Sequence, residues 1–224
     1  VTKATEPRVA DAVASTRGQI LMSGDEICDT RFSKCCGGRA DEFQYCWEDT
    51  PKPYLVSVDC PYCNTHDIDV IRQILNDYDC ETPDFYEWTE EYTAEQLSAL
   101  VAEKLKINLG RIVALEPLER GKSGRIWKLL IKGNGEGVSQ FVIGKELEIR
   151  RVLSHSHLKS SNFTVETVGD DKGMPHKFIL HGRGWGHGVG LCQIGAAVMG
   201  QEGHSYEDIL LHYYKNSQIK KAYK

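Results

Sequence analysis

Apolar positions along this chain change period several times, and each change marks an element. Between Gly18 and Phe32 they alternate around Ser23-Gly24-Asp25, which predicts two strands joined by a tight turn. Ile68, Ile71 and Leu75 stand at helical spacing and predict a short helix within residues 67–79. Thr93-Ala94-Glu95-Gln96 reads as a capping box, in which two side chains satisfy N–H groups left unpaired at a helix start. It opens a helix with Leu97, Leu100, Val101 and Leu105 on one face. Ile112 to Leu118, Arg125 to Lys132 and Gln140 to Ile143 predict strands, with a turn at Gly133-Asn134-Gly135. A helix carrying Arg150 and Arg151 is expected between Gly144 and Leu153, and a late hairpin from Phe163 to Val168 and His176 to His181. Gln193 to Gln201 predicts a helix, and Ser205 caps a last one through Asp208. Strands and helices do not alternate regularly. The expected class is therefore α+β, with mixed, largely antiparallel sheets and several short helices, rather than a doubly wound parallel sheet.

Composition narrows the function classes. The chain has 224 residues, enough to bury a substantial core. Its net charge of −5 lacks the basic excess of a nucleic-acid binder, so no nucleic-acid partner is expected. No run of 18 apolar residues occurs, so no membrane span is expected.

The segment from His181 to Gln201, HGRGWGHGVGLCQIGAAVMGQ, holds seven glycines. Glycine is conformationally expensive to order, so this density points to close approach by something or to backbone angles that other residues avoid. Gly184, Gly186, Gly188 and Gly190 are two apart, and in an extended segment they share one face. Trp185 and His187 then project from the other. A smooth glycine face admits another backbone or a flat ligand. The spacing lacks the Lys-Ser/Thr end of a phosphate-cradling loop, and nucleotide binding is not expected.

Gly182-Arg183-Gly184-Trp185-Gly186-His187-Gly188-Val189-Gly190-Leu191-Cys192-Gln193-Ile194-Gly195-Ala196, followed by Ser205-Tyr206-Glu207-Asp208-Ile209-Leu210 and Tyr213-Tyr214, resembles the C-terminal signature of the sporulation stage II protein D (SpoIID) family, which includes the LytB-type amidase enhancers. Cys192 departs from it, since the family usually has Ser there. The likeness extends back through Ala12 to Leu21, Phe32 to Arg39, Pro53 to Val58, Ser123 to Arg125 and Leu158 to Phe163, and is weakest between Asn64 and Thr93. It implies a SpoIID-like fold in which residues 1–63 and 154–224 form the core with a glycan cleft, and 64–153 an inserted or second α+β subdomain.

The resemblance also implies a chemistry. Family members resemble lytic transglycosylases of peptidoglycan glycan strands. A glutamic acid protonates the glycosidic oxygen, and the sugar's own 6-hydroxyl closes on the anomeric carbon to leave a 1,6-anhydro end. That glutamate lies in an upstream segment with no counterpart here. The opening VTKATEPRVADAV reads as the middle of a domain, so the chain is expected to be part of a longer protein, with no catalytic residue of its own. Asp41, Glu42 and Asp59 are expected in turns or on solvated faces. This chain is expected to supply the cleft. Tyr54, Trp185 and Trp47 are candidates for stacking on sugars, Arg183, Gln193 and Arg17 for hydrogen bonding, and His187 for a cleft position. The expected partners are peptidoglycan glycan strands and a cell-wall amidase, in the bacterial envelope, periplasmic or extracellular. The alternative is a non-catalytic wall-binding or amidase-stimulating module.

Seven of eight cysteines lie between Cys28 and Cys80. An oxidising envelope compartment favours disulfides. Cys60-Pro61-Tyr62-Cys63 has the two-residue gap of a zinc knuckle, which Cys36 and Cys46 would complete to a tetrahedron. Free thiols are the third option. No cofactor is required by this reading beyond that possible structural zinc.

Overall fold

The computed structural model describes residues 7–74, 85–171 and 173–223. Leu75, the end of the first predicted helix and Cys80 lie outside them. The fold is α+β, built from small sheets rather than one continuous sheet.

After the helix α1 (Pro7–Ser15), β1 (Gln19–Ser23) turns through Gly24 into β2 (Glu26–Ile27), as the alternation predicts. The hairpin is only two residues deep on that side. The main partner of β1 is β11 (Gln218–Lys221), from the far end of the chain. β3 (Phe32–Ser33) pairs in parallel with β10 (Leu191–Cys192), which ties the Cys-Gly-Gly region to the glycine-rich segment. α2 (Ile68–Ile74) packs against α5 (Gln193–Gln201), and Gln201 donates to Asp67 at its start.

β4 (Glu87–Thr93), β8 (Phe163–Gly169) and β9 (Pro175–Arg183) form an antiparallel sheet with β9 in the centre. β5 (Ile112–Arg120), β6 (Ile126–Gly133) and β7 (Gln140–Gly144) form another, centred on β6. The connection from β6 to β7 is longer than a Gly-Asn-Gly hairpin turn. Gly133 bonds Ser139 across it, while Asn134 and Gly135 reach the loop before β5 through Arg111 and Leu109. Between β4 and β5 lies α3 (Ala94–Leu105), opened by the capping box: Thr93 Oγ1 accepts from Gln96 N–H at 3.1 Å, and Gln96 Oε1 accepts from Thr93 N–H at 2.9 Å. α4 (Glu146–Val152) follows β7, and α6 (Tyr206–Tyr213) is capped by Ser205.

Two apolar clusters hold these parts. One gathers Leu21, Phe43, Tyr54, Leu55, Ile194, Tyr213 and most of the cysteines. The other gathers Leu97, Val101, Ile112, Ile126, Leu129, Ile131, Ile149, Phe163 and Phe178. The glycine-rich segment leaves β9 in the second cluster and enters α5 in the first. No helix among the described residues is long and apolar enough to cross a membrane.

Candidate functional site

The segment between β9 and β10 is not extended. Gly184, Gly186, Gly188 and Gly190 all take positive φ, at 78°, 103°, 74° and 72°. Only glycine adopts such a run without strain. The face they free is filled from within the protein. A Cβ on Gly188 would stand 2.3 Å from Arg125 Cζ, and one on Gly190 would stand 2.1 Å from the Arg31 carbonyl. The segment therefore wraps the Arg125 guanidinium and lies against residues 31–36. Arg125 is buried and donates to the carbonyls of Cys36 at 2.8 Å and Gly186 at 3.2 Å, while its Nε has no partner.

Asp41 sits beside this arginine, contrary to the expectation of a turn or solvated face. It is fully buried; the Ser123 hydroxyl donates to one carboxylate oxygen at 2.7 Å and Glu42 N–H to the other at 2.9 Å. Burial raises its pKa, opposed by Ser123 and by the Arg125 charge. The Ser123 hydroxyl and the Glu42 N–H hold it there, with the Arg125 charge adding to them. Glu146 is a second sealed carboxyl. It accepts from Ser161 N–H at 3.2 Å, pairs with Arg150 at 3.4 Å and is also raised by burial. Sequence reasoning missed Glu146. Its signal was the Glu146/Arg150 spacing of one helical turn, which also occurs on solvated helices.

The sequence-derived candidates separate into several places. Arg183 is exposed and pairs with Glu87 at 3.1 Å. It lines a cleft of about 780 Å³ whose walls include Thr89, Ser123, Asn162, Thr164 and His181. Trp185 is half-buried, with Lys34 Nζ 4.0 Å above its ring and Lys159 at 5.7 Å. Trp47 carries Arg31 over its ring at 4.5 Å and meets the edge of His187 at 4.8 Å. His187 Nδ1 accepts from Val189 N–H at 3.0 Å, and the ring also bonds the Phe32 backbone. Burial and the neighbouring Arg125 and Arg150 charges lower its pKa to about 4, so the imidazole is neutral at physiological pH. Gln193 is half-buried in the first turn of α5. Tyr54 is buried, its hydroxyl accepting from Asp29 N–H at 3.0 Å, so its ring offers no surface for stacking. Arg17 lies beyond α1 and lines a shallow groove with Ala10, Val13 and Ala14.

The seven described cysteines carry no disulfide. Four of them, Cys36, Cys60, Cys63 and Cys192, are buried with their sulfurs all within 4.8 Å of one another, a group that could hold a metal ion. Cys46, which spacing put in the set, instead points its thiol at the His187 carbonyl, 3.7 Å away. Cys192 takes the fourth place because the β3–β10 pairing brings it over the Cys-Gly-Gly loop, a contact invisible in spacing. Contacts from Cys192 and the other thiols hold Cys63 far below the ordinary thiol range, and the contact with Cys192 pushes Cys36 and Cys60 up.

Comparison with known proteins places this architecture. Residues 41–190 match a domain of unknown function (DUF8618). The chain is 29% identical to stage II sporulation protein D of Bacillus subtilis (strain 168) over 216 residues, covering 96% of the chain and 52% of that protein. It is 30% identical over 218 residues to an uncharacterized protein of Brachyspira hyodysenteriae (strain ATCC 49526 / WA1), covering 94% of the chain and 48% of the relative. Over 72 residues it is 33% identical to the amidase enhancer of Bacillus subtilis (strain 168), covering 32% of the chain and 9% of the enhancer. The chain thus spans about half the length of the relatives it matches along its whole course. The chain belongs to the DUF8618 family, and its likeness to stage II sporulation protein D and the amidase enhancer assigns it to the family of those two proteins.

Proposed function

We propose that this chain forms the glycan-holding part of a SpoIID-like cell-wall protein of the bacterial envelope that cleaves peptidoglycan strands as a lytic transglycosylase. The observation that supports this reading best is the cleft beside the signature segment. Its volume of about 780 Å³ suits a few sugar rings, and its walls present hydroxyls, an amide, an imidazole and a guanidinium paired with the Glu87 carboxylate. Sugars offer many hydroxyl and acetamido groups to such a surface, and the lactyl carboxylate of a peptide-free muramoyl unit offers an anion to Arg183.

In this reading the chain does not carry the acid. The two carboxyls that burial holds toward protonation, Asp41 and Glu146, are sealed beneath the surface and engaged by Ser123, Ser161 and Arg150. A carboxylic acid outside these 224 residues donates the proton to the glycosidic oxygen, the sugar 6-hydroxyl attacks the anomeric carbon and expels that oxygen as the hydroxyl of the departing sugar, and the resulting carboxylate takes up the 6-hydroxyl proton. Residues 1–224 should then bind amidase-treated glycan strands but release no 1,6-anhydro ends. Arg183→Ala should weaken binding of those strands at least tenfold, about 1.4 kcal/mol. It should affect N-acetylglucosamine oligomers, which lack the lactyl group, much less. Equal binding by wild type and variant would sink the cleft assignment, and anhydro products from this chain alone would put the acid within it.

A second reading, stimulation of a cell-wall amidase without catalysis, draws on the likeness to the amidase enhancer. It would be favoured if the full-length protein bound strands without cutting them and raised an amidase's rate on the same strands.

A further inference from the structure

We propose that Cys36, Cys60, Cys63 and Cys192 bind a single zinc ion as four thiolates, and that this ion clamps the signature segment to the Cys-Gly-Gly loop. A tetrahedral zinc site has Zn–S bonds of about 2.3 Å, which sets its sulfur–sulfur edges at about 3.8 Å. The four sulfurs here lie within 4.8 Å of one another, and Cys36 and Cys63 are 3.6 Å apart. That is too far for a disulfide bond and close to a tetrahedron edge. A polynuclear iron–sulfur cluster, whose cysteines surround several irons and bridging sulfides, needs a wider cage.

Hydrogen-bond donors converge on the sulfurs. Cys36 N–H points at Cys192 Sγ at 3.3 Å, Gly38 N–H at Cys63 Sγ at 3.2 Å and Gly195 N–H at Cys192 Sγ at 3.5 Å. The Tyr213 hydroxyl is 3.1 Å from Cys60 Sγ. Such donors offset the excess negative charge that four thiolates leave on a zinc centre. Cys192 is also the N-cap of α5, so its sulfur sits at the positive end of that nine-residue helix. Gly195 has to be glycine for the site to close, because a Cβ there would stand 2.6 Å from Cys60 Sγ.

The ligands come from three separated stretches. Cys36 follows β3, Cys60 and Cys63 form the knuckle, and Cys192 ends β10. One ion therefore crosslinks three stretches that the β3–β10 pairing and backbone bonds such as Cys60 N–H to Gly38 C=O already bring together. Zinc binds thiolates, so loading releases the S–H protons that the four sulfurs still carry.

The test is metal analysis of the chain purified reduced and without chelator, with X-ray absorption at the zinc edge. One zinc per chain with four sulfurs near 2.3 Å is expected. Cys192→Ser, nearly isosteric, should weaken zinc binding at least tenfold, and Tyr213→Phe should weaken it about tenfold while preserving the circular dichroism spectrum. Cys46→Ser and Cys28→Ser should keep full zinc. Failure of the reduced wild type to take up added zinc would overturn the proposal. So would nitrogen or oxygen ligands at the edge, iron in place of zinc, or Cys46→Ser losing as much zinc as Cys192→Ser. None of these readouts involves glycan, so the outcome is independent of the cleft assignment.

Discussion

His187 shows how a residue's neighbours change its meaning. Flanked by glycines, it reads in the sequence as open to a ligand. In the structure its ring is packed against Trp47, bonded to the main chain and neutral, with its pKa lowered to about 4 by burial and by Arg125. The folded protein therefore resists protonating it, while the unfolded chain takes up that proton near pH 6.5. Its contribution is intact above pH 6.5 and is lost as the pH falls toward 4. Denaturant titrations across that range should show wild type losing more stability on acidification than His187→Gln. Parallel pH profiles for the two would mean that folding leaves the imidazole's pKa unshifted. Asp41 carries the complementary lesson. An aspartate in a polar stretch is read as solvated, and its burial depends on the distant loop that brings the Ser123 hydroxyl and the Arg125 charge to it.

At the scale of elements, local chemistry was legible where it was self-contained. The capping box at Thr93 forms as its spacing dictates, because both partners lie within one turn of the chain. Thr93→Ala should cost about 1 kcal/mol, read as a lowered denaturation midpoint at unchanged slope. A change well below that would show that α3 is held by Leu97 and Val101 packing alone. The late hairpin and the cap at Ser205 were legible for the same reason. The glycine-rich segment was not. Alternation suggested an extended face, but four positive φ values bend the chain around Arg125 instead. Glycine spacing reports permission for unusual angles and not which angles are used.

At the scale of the molecule, the two apolar clusters should respond differently to loss of the proposed zinc. Chelation should speed amide exchange around Cys36, Cys60, Cys63 and Cys192 in the first cluster. α3 and the sheet β5–β6–β7 pack in the second and should keep their protection. Uniform acceleration through both clusters would instead mean that the metal site supports the whole fold.

The sequence by itself determined the α+β class, the family and most element boundaries, because these follow from periodicity, caps and a long contiguous signature. Cys60 and Cys63 were also legible as a pair, since two residues separate them. What only the tertiary structure decided are the meetings between distant stretches. Cys192 rather than Cys46 joins the thiol group, Arg183 faces the polar cleft while Tyr54 is buried, and Arg125 and Asp41 share the interior. Each depends on strand pairings such as β3 with β10, and those register over more than 150 residues of intervening chain. Local pattern carries no information about such contacts, because their energy comes from burial and charge compensation that exist only once the chain has closed.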